Sequence, residues 1–204
     1  MRTRNIKNAS EIIKDNNHFA FNEPFDKKGR WSDEFGNDNP LEIEIGSGKG
    51  KFIIETAEKK TGVNFIGMEK FDSILVRCVQ KNIDRVLPNL RLIRADALGI
   101  TDLFASREVN NIYINFPDPW PKNKHEHRRL THPQFIERYR KILKYGGEII
   151  FKTDNRSLFE YSLLSLSECK LILKDISLDL HSSEYPENVM TEYEKFFHEK
   201  GQPE

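Results

Sequence analysis

The chain has 204 residues, enough for one well-buried core with appended elements, and its 37% hydrophobic and 31% charged residues are ordinary for a globular protein. Lys plus Arg and Asp plus Glu both number 32, so the formal net charge of zero disfavours a general polyanion-binding protein and leaves only a local basic patch open. No apolar run approaches membrane-spanning length, and residues 1–10 lack the apolar core of a signal peptide, so we expect a cytoplasmic protein without membrane contact. Cys78 and Cys169 lie in apolar contexts and are expected to be reduced core residues.

The first forty residues differ in character from the rest. Residues 1–30 carry a mild excess of basic side chains and little apolar periodicity, which favours a mobile arm or an edge-packed extension over a dedicated nucleic-acid arm. Residues 31–40 are polar and rich in turn formers. We therefore predict a basic N-terminal extension at 1–40 and the main domain at 41–204.

A glycine turn follows the first predicted strand. Leu41 to Ile45 alternates apolar and acidic residues, Gly46, Gly48 and Gly50 break the strand, and helical spacing resumes at 52–60. Strand, glycine turn and helix together are typical of a nucleotide-cofactor loop, although a plain tight turn has the same spacing. A dinucleotide-binding fingerprint requires its third glycine where Lys51 stands, which weakens a dehydrogenase interpretation. Glu44 would repel a pyrophosphate but suits a ligand with an ammonium or sulfonium charge.

Two further acidic residues follow the next strands. The strand at 63–68 leads into Glu69, about twenty residues beyond the glycine turn, where a ribose diol is usually bound. After a helix at 71–87, a strand at 90–94 leads to Asp96, which could read an adenine edge or simply cap the short helix at 100–106. Glu44, Glu69 and Asp96 thus stand at three successive strand ends, and together they favour one shared site more than each does singly.

The most unusual stretch is Asn115-Phe116-Pro117-Asp118-Pro119-Trp120-Pro121-Lys122. Its prolines fix φ and remove backbone donors, so a stiff loop must follow the predicted strand at 109–116. Asp118 and Trp120 then stand at the carboxyl end of that strand, where open α/β sheets bind ligands; a rigid turn with a solvated Asp118 is the alternative.

A basic segment continues this loop from residue 122 to residue 129. Its basic side chains suit phosphate contacts and the neighbouring Trp120 could stack on a base, although a solvated loop has the same composition. His125, His127 and His132 raise the question of a metal, but cationic neighbours and the lack of a nearby cysteine disfavour one, so we expect no metal site.

The rest of the chain continues the alternation of predicted strands and helices. A helix at 132–145, a strand at 148–152 and a helix at 156–167 are predicted, with Asp154 after the strand as a ligand contact or a helix cap. Residues 170–180 and 192–200 are interpreted as closing strands, joined by a loop at 181–190. Five strand–helix alternations imply a doubly wound α/β sheet with right-handed crossovers.

These motifs together resemble one family. The segment from Glu44 to Gly50, Glu69, Asp96 and the loop from Pro117 to Lys122 are similar to those of the bacterial tRNA (guanine-N7)-methyltransferases, over residues 41–194. The glycine turn occurs in many S-adenosylmethionine-dependent enzymes, whereas the Pro-rich loop is close to diagnostic. The resemblance implies a Rossmann-like, doubly wound class I methyltransferase sheet, mostly parallel with an antiparallel edge strand near the C-terminus.

The resemblance also implies residue roles. It implies a pocket for the cofactor S-adenosylmethionine, lined by Glu44, Gly46, Gly48, Glu69, Asp96 and Asp118. Asp118 would be the catalytic residue. Substrate contacts would come from Lys122, Lys124, Arg128, Arg129, Asp154, Thr191, Glu192, Tyr193 and Glu194. The expected partner is tRNA, methylated at a guanine N7 of its variable loop, and the expected oligomeric state is monomer or homodimer.

Two other functions on the same fold would require fewer of these residues. A methyltransferase acting on a small molecule or protein shares the pocket without needing the basic loop. A non-catalytic RNA-binding protein on the same fold would not need the acidic residues Glu44, Glu69, Asp96 and Asp118. Guanine N7 carries a lone pair and no proton, so the implied reaction needs positioning and electrostatic stabilisation rather than a general base.

Overall fold

The computed structural model describes residues 6–180 and 189–198. Its helices and strands alternate along the chain: α1 Ala9–Asp15, β1 Ala20–Asn22, α2 Trp31–Phe35, β2 Leu41–Ile45, α3 Lys51–Lys59, β3 Asn64–Glu69, α4 Asp72–Ile83, β4 Leu90–Arg94, α5 Ile100–Leu103, β5 Val109–Asn115, α6 Pro133–Ile142, β6 Leu143–Lys152, α7 Arg156–Glu168 and α8 Glu192–His198. Three short 3-10 segments lie at Phe25–Lys27, Ala97–Gly99 and Asn123–Arg128.

The six strands form one parallel sheet in the order β1-β4-β3-β2-β5-β6. The strand order reverses between β2 and β5, and a ligand is expected at the carboxyl ends of the strands beside such a switch point. Glu69 ends β3 and the Pro-rich loop follows β5, so both lie at this edge. The predicted doubly wound α/β fold is confirmed.

Helices cover both faces of the sheet because the inner strands are apolar on both sides. One buried cluster joins Trp31 of α2 and Tyr139 of α6 to Ile43 and Ile112 of the sheet. The other joins Ile53 of α3 and Leu75 of α4 to the opposite face. Among the described residues, no helix has both the length and the apolar character needed to cross a bilayer.

The N-terminal residues pack against this sheet. β1 pairs in parallel with β4, which makes it an edge strand, and α1 lies against α4 with Ser10 donating to Asp72. The Trp31 indole is buried and donates to the Leu103 carbonyl at 3.0 Å. Residues 6–40 therefore contribute to the core, and a domain boundary at residue 40 stays a prediction.

The predicted antiparallel edge strand is wrong. All six strands are parallel, and residues 170–180 form no strand, because Lys170 and Asp175 adopt positive φ angles of 58° and 44° that interrupt an extended run. Ile172 and Leu178, which suggested a buried strand, are largely exposed. On the side of the sheet away from β1, the edge strand is the parallel strand β6, which begins at Leu143 rather than at residue 148.

The second predicted closing strand is also wrong, because residues 192–198 form helix α8. Thr191 Oγ1 accepts from the Glu194 N–H and the Glu194 carboxylate accepts from the Thr191 N–H, each at 3.0 Å. This reciprocal pair is a capping box, which starts a helix. The predicted loop at 181–190 lies outside the described residues as far as residue 188.

Candidate active site

The glycine turn after β2 is shaped by backbone geometry that glycine tolerates. Gly46, Gly48 and Gly50 have φ angles of 80°, 57° and 83°. A Cβ on Gly46 would have no atom within 4 Å, whereas one on Gly50 would lie 2.1 Å from Cys78 Sγ. Gly50 thus lets α3 approach α4, while Gly46 and Gly48 leave open space above the turn for a ligand.

Glu69 closes this turn from the neighbouring strand. Its carboxylate accepts from the Gly48 N–H at 3.2 Å and from the Phe71 N–H at 3.0 Å. Burial raises the pKa of the Glu69 carboxyl, the hydrogen bonds from Phe71 and Gly48 oppose that rise, and the charge of nearby Asp118 adds to it. Glu69 therefore connects the glycine turn electrostatically with the Pro-rich loop.

Glu44 is a deeply buried carboxyl at the end of β2. Its side chain is 2% exposed; Oε1 accepts from the Asn115 amide at 2.9 Å, and Oε2 has no hydrogen-bond partner. Burial raises the pKa of Glu44 to about 8, against the opposing hydrogen bond from Asn115, and Glu192 raises it further while Lys152 lowers it. An unpartnered buried carboxylate is costly, so Glu44 would ionise at lower cost beside a cationic group.

Asp96 lies beyond β4 beside a cavity of about 290 Å3 lined by Glu23, Lys70, Phe71, Arg94, Ala95 and Asp96. Its carboxylate pairs with Lys70 Nζ at 2.7 Å and accepts from the Leu98 N–H at 3.0 Å. Partial burial raises the pKa of Asp96, but the hydrogen bonds from Leu98 and Lys70 outweigh it, so the pKa lies below its usual value. Asp96 is therefore both the predicted helix cap and one wall of a cavity.

A second cavity, of about 220 Å3, lies where the Pro-rich loop meets the end of β6 and α8; its lining is Phe116, Pro117, Asp118, Pro119, Asp154, Asn155 and Tyr193. The Tyr193 hydroxyl donates to Asp154 Oδ2 at 2.6 Å, and its ring packs on Phe116 with centroids 5.3 Å apart. Phe116 and Trp120 take positive φ angles of 47° and 42°, so the loop is held in a strained conformation. Two carboxylates and an aromatic ring thus face one small space.

The basic segment divides into exposed and inward-facing side chains. Lys122 and Lys124 are exposed, and the Arg128 guanidinium lies 4.9 Å from the centre of the Trp120 ring. Arg129 instead donates to the carbonyls of Pro119 and Trp120 at 3.1–3.3 Å and lies over the Tyr161 ring. Arg129 therefore supports the loop from behind.

Helix α8 is held against β6, α3 and α4 by its acidic side chains. Buried Glu194 pairs with Lys152 Nζ at 3.6 Å, and the same ammonium donates to the Val189 carbonyl at 3.3 Å. The Glu192 carboxylate accepts from the Lys51 N–H at the start of α3, at 3.3 Å, and pairs with Lys81 of α4. Thr191 and Glu194 thus hold α8 in place, while Glu192 and Tyr193 reach into the site.

The amino-acid sequence is similar to those of known methyltransferases. A family model described as "Putative methyltransferase" matches residues 38–204. A tRNA (guanine-N(7)-)-methyltransferase of Geobacillus sp. (strain WCH70) is 51% identical over 98% of this chain and 91% of its own length. The enzyme of the same name from Streptococcus equi subsp. zooepidemicus (strain MGCS10565) is 50% identical over 99% of this chain and 96% of its own. This chain belongs to the tRNA (guanine-N(7)-)-methyltransferase family.

The fold comparison agrees with membership of the tRNA (guanine-N(7)-)-methyltransferase family. A solved structure of an antibiotic-related methyltransferase superposes with a TM-score of 0.61 at 18% identity, over 83% of this chain and 86% of that one. At that identity the likeness shows the fold alone. The predicted family and methyltransferase fold are confirmed.

In this member of the tRNA (guanine-N(7)-)-methyltransferase family, four residues that hold the acidic side chains of the site were not predicted from the sequence. Asn115 holds the Glu44 carboxylate, Lys152 holds Glu194, and Lys51 and Lys81 hold Glu192. Asn115 precedes the Pro-rich loop, and a buried amide at a strand end could have marked it. Among the described residues, no group of three or more His, Cys, Asp or Glu side chains is arranged to hold a metal ion.

Proposed function

We propose that this protein transfers a methyl group from S-adenosylmethionine to N7 of a guanine in the variable loop of tRNA. The observation that carries the proposal is the small cavity in which Asp118 and Asp154 face the Tyr193 ring, beside the glycine turn of a methyltransferase-family chain. Relatives about 50% identical over nearly their whole lengths bear the tRNA (guanine-N(7)-)-methyltransferase name.

The residues of the glycine turn fit the cofactor. The unpartnered Glu44 Oε2 suits the ammonium of an amino acid, and the space above Gly46 and Gly48 admits a ligand close to the backbone. Glu69 at the end of β3 is positioned for a ribose diol, and Asp96 beside the larger cavity is positioned for an adenine edge. We assign these five residues, together with Asp118, to the cofactor pocket.

The proposed reaction does not require the protein to remove a proton from the substrate. The bound cofactor supplies an electrophilic methyl group on a sulfonium centre. Guanine N7 would attack this methyl carbon through an in-plane lone pair while the carbon–sulfur bond breaks and S-adenosylhomocysteine leaves. N7 loses no proton, so no residue must act as a base. Asp118 and Asp154 can accept hydrogen bonds from the N–H groups of guanine and offset the positive charge that develops on the purine. We assign Asp118 as the catalytic residue on this basis.

The aromatic residues beside these carboxylates can orient the base. Tyr193 is 42% exposed at the cavity, and its hydroxyl fixes one oxygen of Asp154 while the ring packs on Phe116. A purine that stacks on Tyr193 would present its hydrogen-bonding edge to the carboxylates. Trp120 is less suited to this task because Arg128 lies over its ring and His125 meets its edge.

The exposed cations provide a surface for the RNA backbone. We assign phosphate contacts to Lys122, Lys124 and Arg128, which are exposed and follow the Pro-rich loop in the chain. Arg129, Thr191 and Glu194 were also predicted as substrate contacts; their hydrogen bonds within the protein give them a supporting role, so any contact with tRNA would come in addition. We further propose a cytoplasmic location, because tRNA is the substrate, and a monomer or homodimer.

Methyl transfer from labelled S-adenosylmethionine to unmodified bulk tRNA, followed by nucleoside mass spectrometry, tests the proposal. The expected product is 7-methylguanosine, with no label on free nucleosides or on protein. A different methylated nucleoside would contradict the N7 assignment. Transfer to a small molecule or protein in place of tRNA would favour the alternative acceptor classes, and cofactor binding without any transfer would favour a non-catalytic RNA-binding protein.

A further inference from the structure

The N-terminus of α3 already holds a carboxylate from the protein itself. Glu192 Oε2 accepts from the Lys51 N–H at 3.3 Å, and Oε1 pairs with Lys81 Nζ. The first N–H groups of a helix lack intrahelical partners and bind anions, and a lysine beside them strengthens such a site. Helix α3 has nine residues, and its first turn contains no acidic side chain of its own, so the carboxylate is supplied by α8.

The same end of the pocket holds an unsatisfied acidic group. Glu44 is buried with Oε2 unpartnered, and the Glu192 charge lies close enough to raise the pKa of Glu44. Glu69 acts on Glu44 in the same sense. A zwitterion would relieve this arrangement, because its ammonium would pair with Glu44 while its carboxylate took the place of the Glu192 carboxylate.

We propose that Glu192 occupies the carboxylate subsite of the cofactor pocket in the free protein, and that the amino-acid end of S-adenosylmethionine binds by displacing Glu192 from Lys51 and Lys81. The inference rests on the proposed function. Lys81 then serves as an exchangeable cation, paired with Glu192 in the free protein and with the ligand carboxylate in the complex. Since α8 also carries Tyr193, displacement of Glu192 would move the edge of the guanine cavity.

An alternative role for Glu192 predicts the opposite change in ligand affinity when its charge is removed. If Glu192 bound the ammonium of the ligand, its neutralisation would weaken binding. If Glu192 competes with the ligand carboxylate, its neutralisation must strengthen binding, and only for ligands that carry that carboxylate. Affinity for two related ligands therefore separates the roles without any measurement of methyl transfer.

The experiment is isothermal titration calorimetry of the full chain with S-adenosylhomocysteine and with 5′-methylthioadenosine, which lacks the amino-acid group. Glu192→Gln should bind S-adenosylhomocysteine roughly tenfold more tightly than the unsubstituted protein, the scale of one charge-assisted hydrogen bond, and 5′-methylthioadenosine equally well. Glu58→Gln, on the exposed side of α3, is the matched control and should change neither affinity.

Lys81→Gln in the Glu192→Gln background completes the test. Once Glu192 is neutralised, the ion pair that the described residues give Lys81 is gone, so the second substitution isolates the contact between Lys81 and the ligand carboxylate. Affinity for S-adenosylhomocysteine should fall roughly tenfold, and affinity for 5′-methylthioadenosine should not change. Unchanged or weaker binding of S-adenosylhomocysteine by Glu192→Gln would overturn the inference and leave the proposed function standing. Failure of the folded, unsubstituted protein to bind S-adenosylhomocysteine would contradict both.

Discussion

Asn115 donates its side-chain amide to Glu44 Oε1 at 2.9 Å across the β2–β5 boundary, and the other Glu44 oxygen stays buried without a partner. The amide lowers the cost of ionising Glu44, but burial dominates and the pKa of Glu44 rises to about 8. The free protein therefore keeps a carboxyl in its core whose neutral form is favoured well above the usual pKa of a glutamate.

Stability of the free protein should depend on pH through Glu44. A carboxyl whose folded pKa exceeds its unfolded value stabilises the fold fully below the unfolded pKa, and this stabilisation is lost as the pH rises through the folded pKa. Between about pH 5.5 and 7.5 the unfolding free energy should fall by roughly 1.4 kcal/mol per pH unit as pH rises, the slope for one proton. Urea unfolding across this range measures it.

Glu44→Gln is the variant that isolates this contribution. It should remove most of the slope and make the free protein more stable at alkaline pH, while weakening its affinity for S-adenosylhomocysteine. An undiminished slope in Glu44→Gln would assign the linkage to another group, such as Glu69, whose pKa is also raised by burial.

Glycines of the same turn should differ in what they contribute. Gly50→Ala places a Cβ 2.1 Å from Cys78 Sγ at a φ of 83°, so it should destabilise the protein by about 3 kcal/mol or more. Gly46→Ala meets no neighbour within 4 Å and should cost only the roughly 1–2 kcal/mol of the left-handed backbone, yet weaken cofactor binding.

Chemical denaturation of both variants tests the comparison. Combining Gly50→Ala with Cys78→Ala should recover part of the loss, because the sulfur is the nearest atom to the added methyl group. Equal destabilisation by the two glycine substitutions would show that the close approach of α3 and α4 is not what requires Gly50.

The basic segment should separate into RNA-binding and supporting residues. Lys124→Ala with Arg128→Ala should reduce the slope of log Kd for tRNA against log salt by about 2, because each lost phosphate contact reduces it by about 1. Arg129→Ala should leave that slope unchanged but lower the unfolding free energy by about 1–3 kcal/mol, since the Pro119 and Trp120 carbonyls lose their donor.

Filter binding at several salt concentrations measures these effects. Lys144→Ala is an exposed control at the start of β6, the end of the strand opposite Lys152. A slope lowered by about 1 in Arg129→Ala would mean that its guanidinium contacts phosphate after all. Unchanged salt dependence in the double variant would mean that this loop faces away from the RNA.

Much of the framework was readable from sequence because its signals are local. The glycine turn, the strand from Leu41 to Ile45 and the Pro-rich loop each carry their own backbone constraints, and the structure has each in the predicted place. The site depends more on neighbours: Asn115 reaches Glu44 only because β5 lies beside β2, an adjacency that neither segment encodes alone.

The errors have similar causes. β1 has three residues and is a strand only because β4 lies beside it. Residues 170–180 have strand-like apolar residues, but positive φ at Lys170 and Asp175 breaks the run. Helix α8 was readable: Thr191 and Glu194 have capping-box spacing and Tyr193 and Phe196 lie one turn apart, but aromatic content suggested a strand.

Asp118 should act without taking a proton. Asp118→Asn should lower kcat by roughly 100- to 1000-fold, the scale of one lost electrostatic contact to the transition state. Because asparagine keeps the size of the side chain in the cofactor pocket, the Kd for S-adenosylhomocysteine should change by less than about threefold. At saturating cofactor the rate should be flat between about pH 6.5 and 8.5. Full turnover by Asp118→Asn would refute the assignment, and a unit slope in log rate over this range would indicate a general base.

The most direct test of attack by guanine N7 uses a tRNA transcript in which 7-deazaguanosine replaces guanosine, so that a C–H group stands where N7 was. We expect this transcript to accept no methyl group and to compete with normal tRNA, because its hydrogen-bonding edge and its phosphates are intact while the attacking lone pair is gone. Methyl transfer to the 7-deaza transcript at the rate of the normal one would contradict attack by guanine N7.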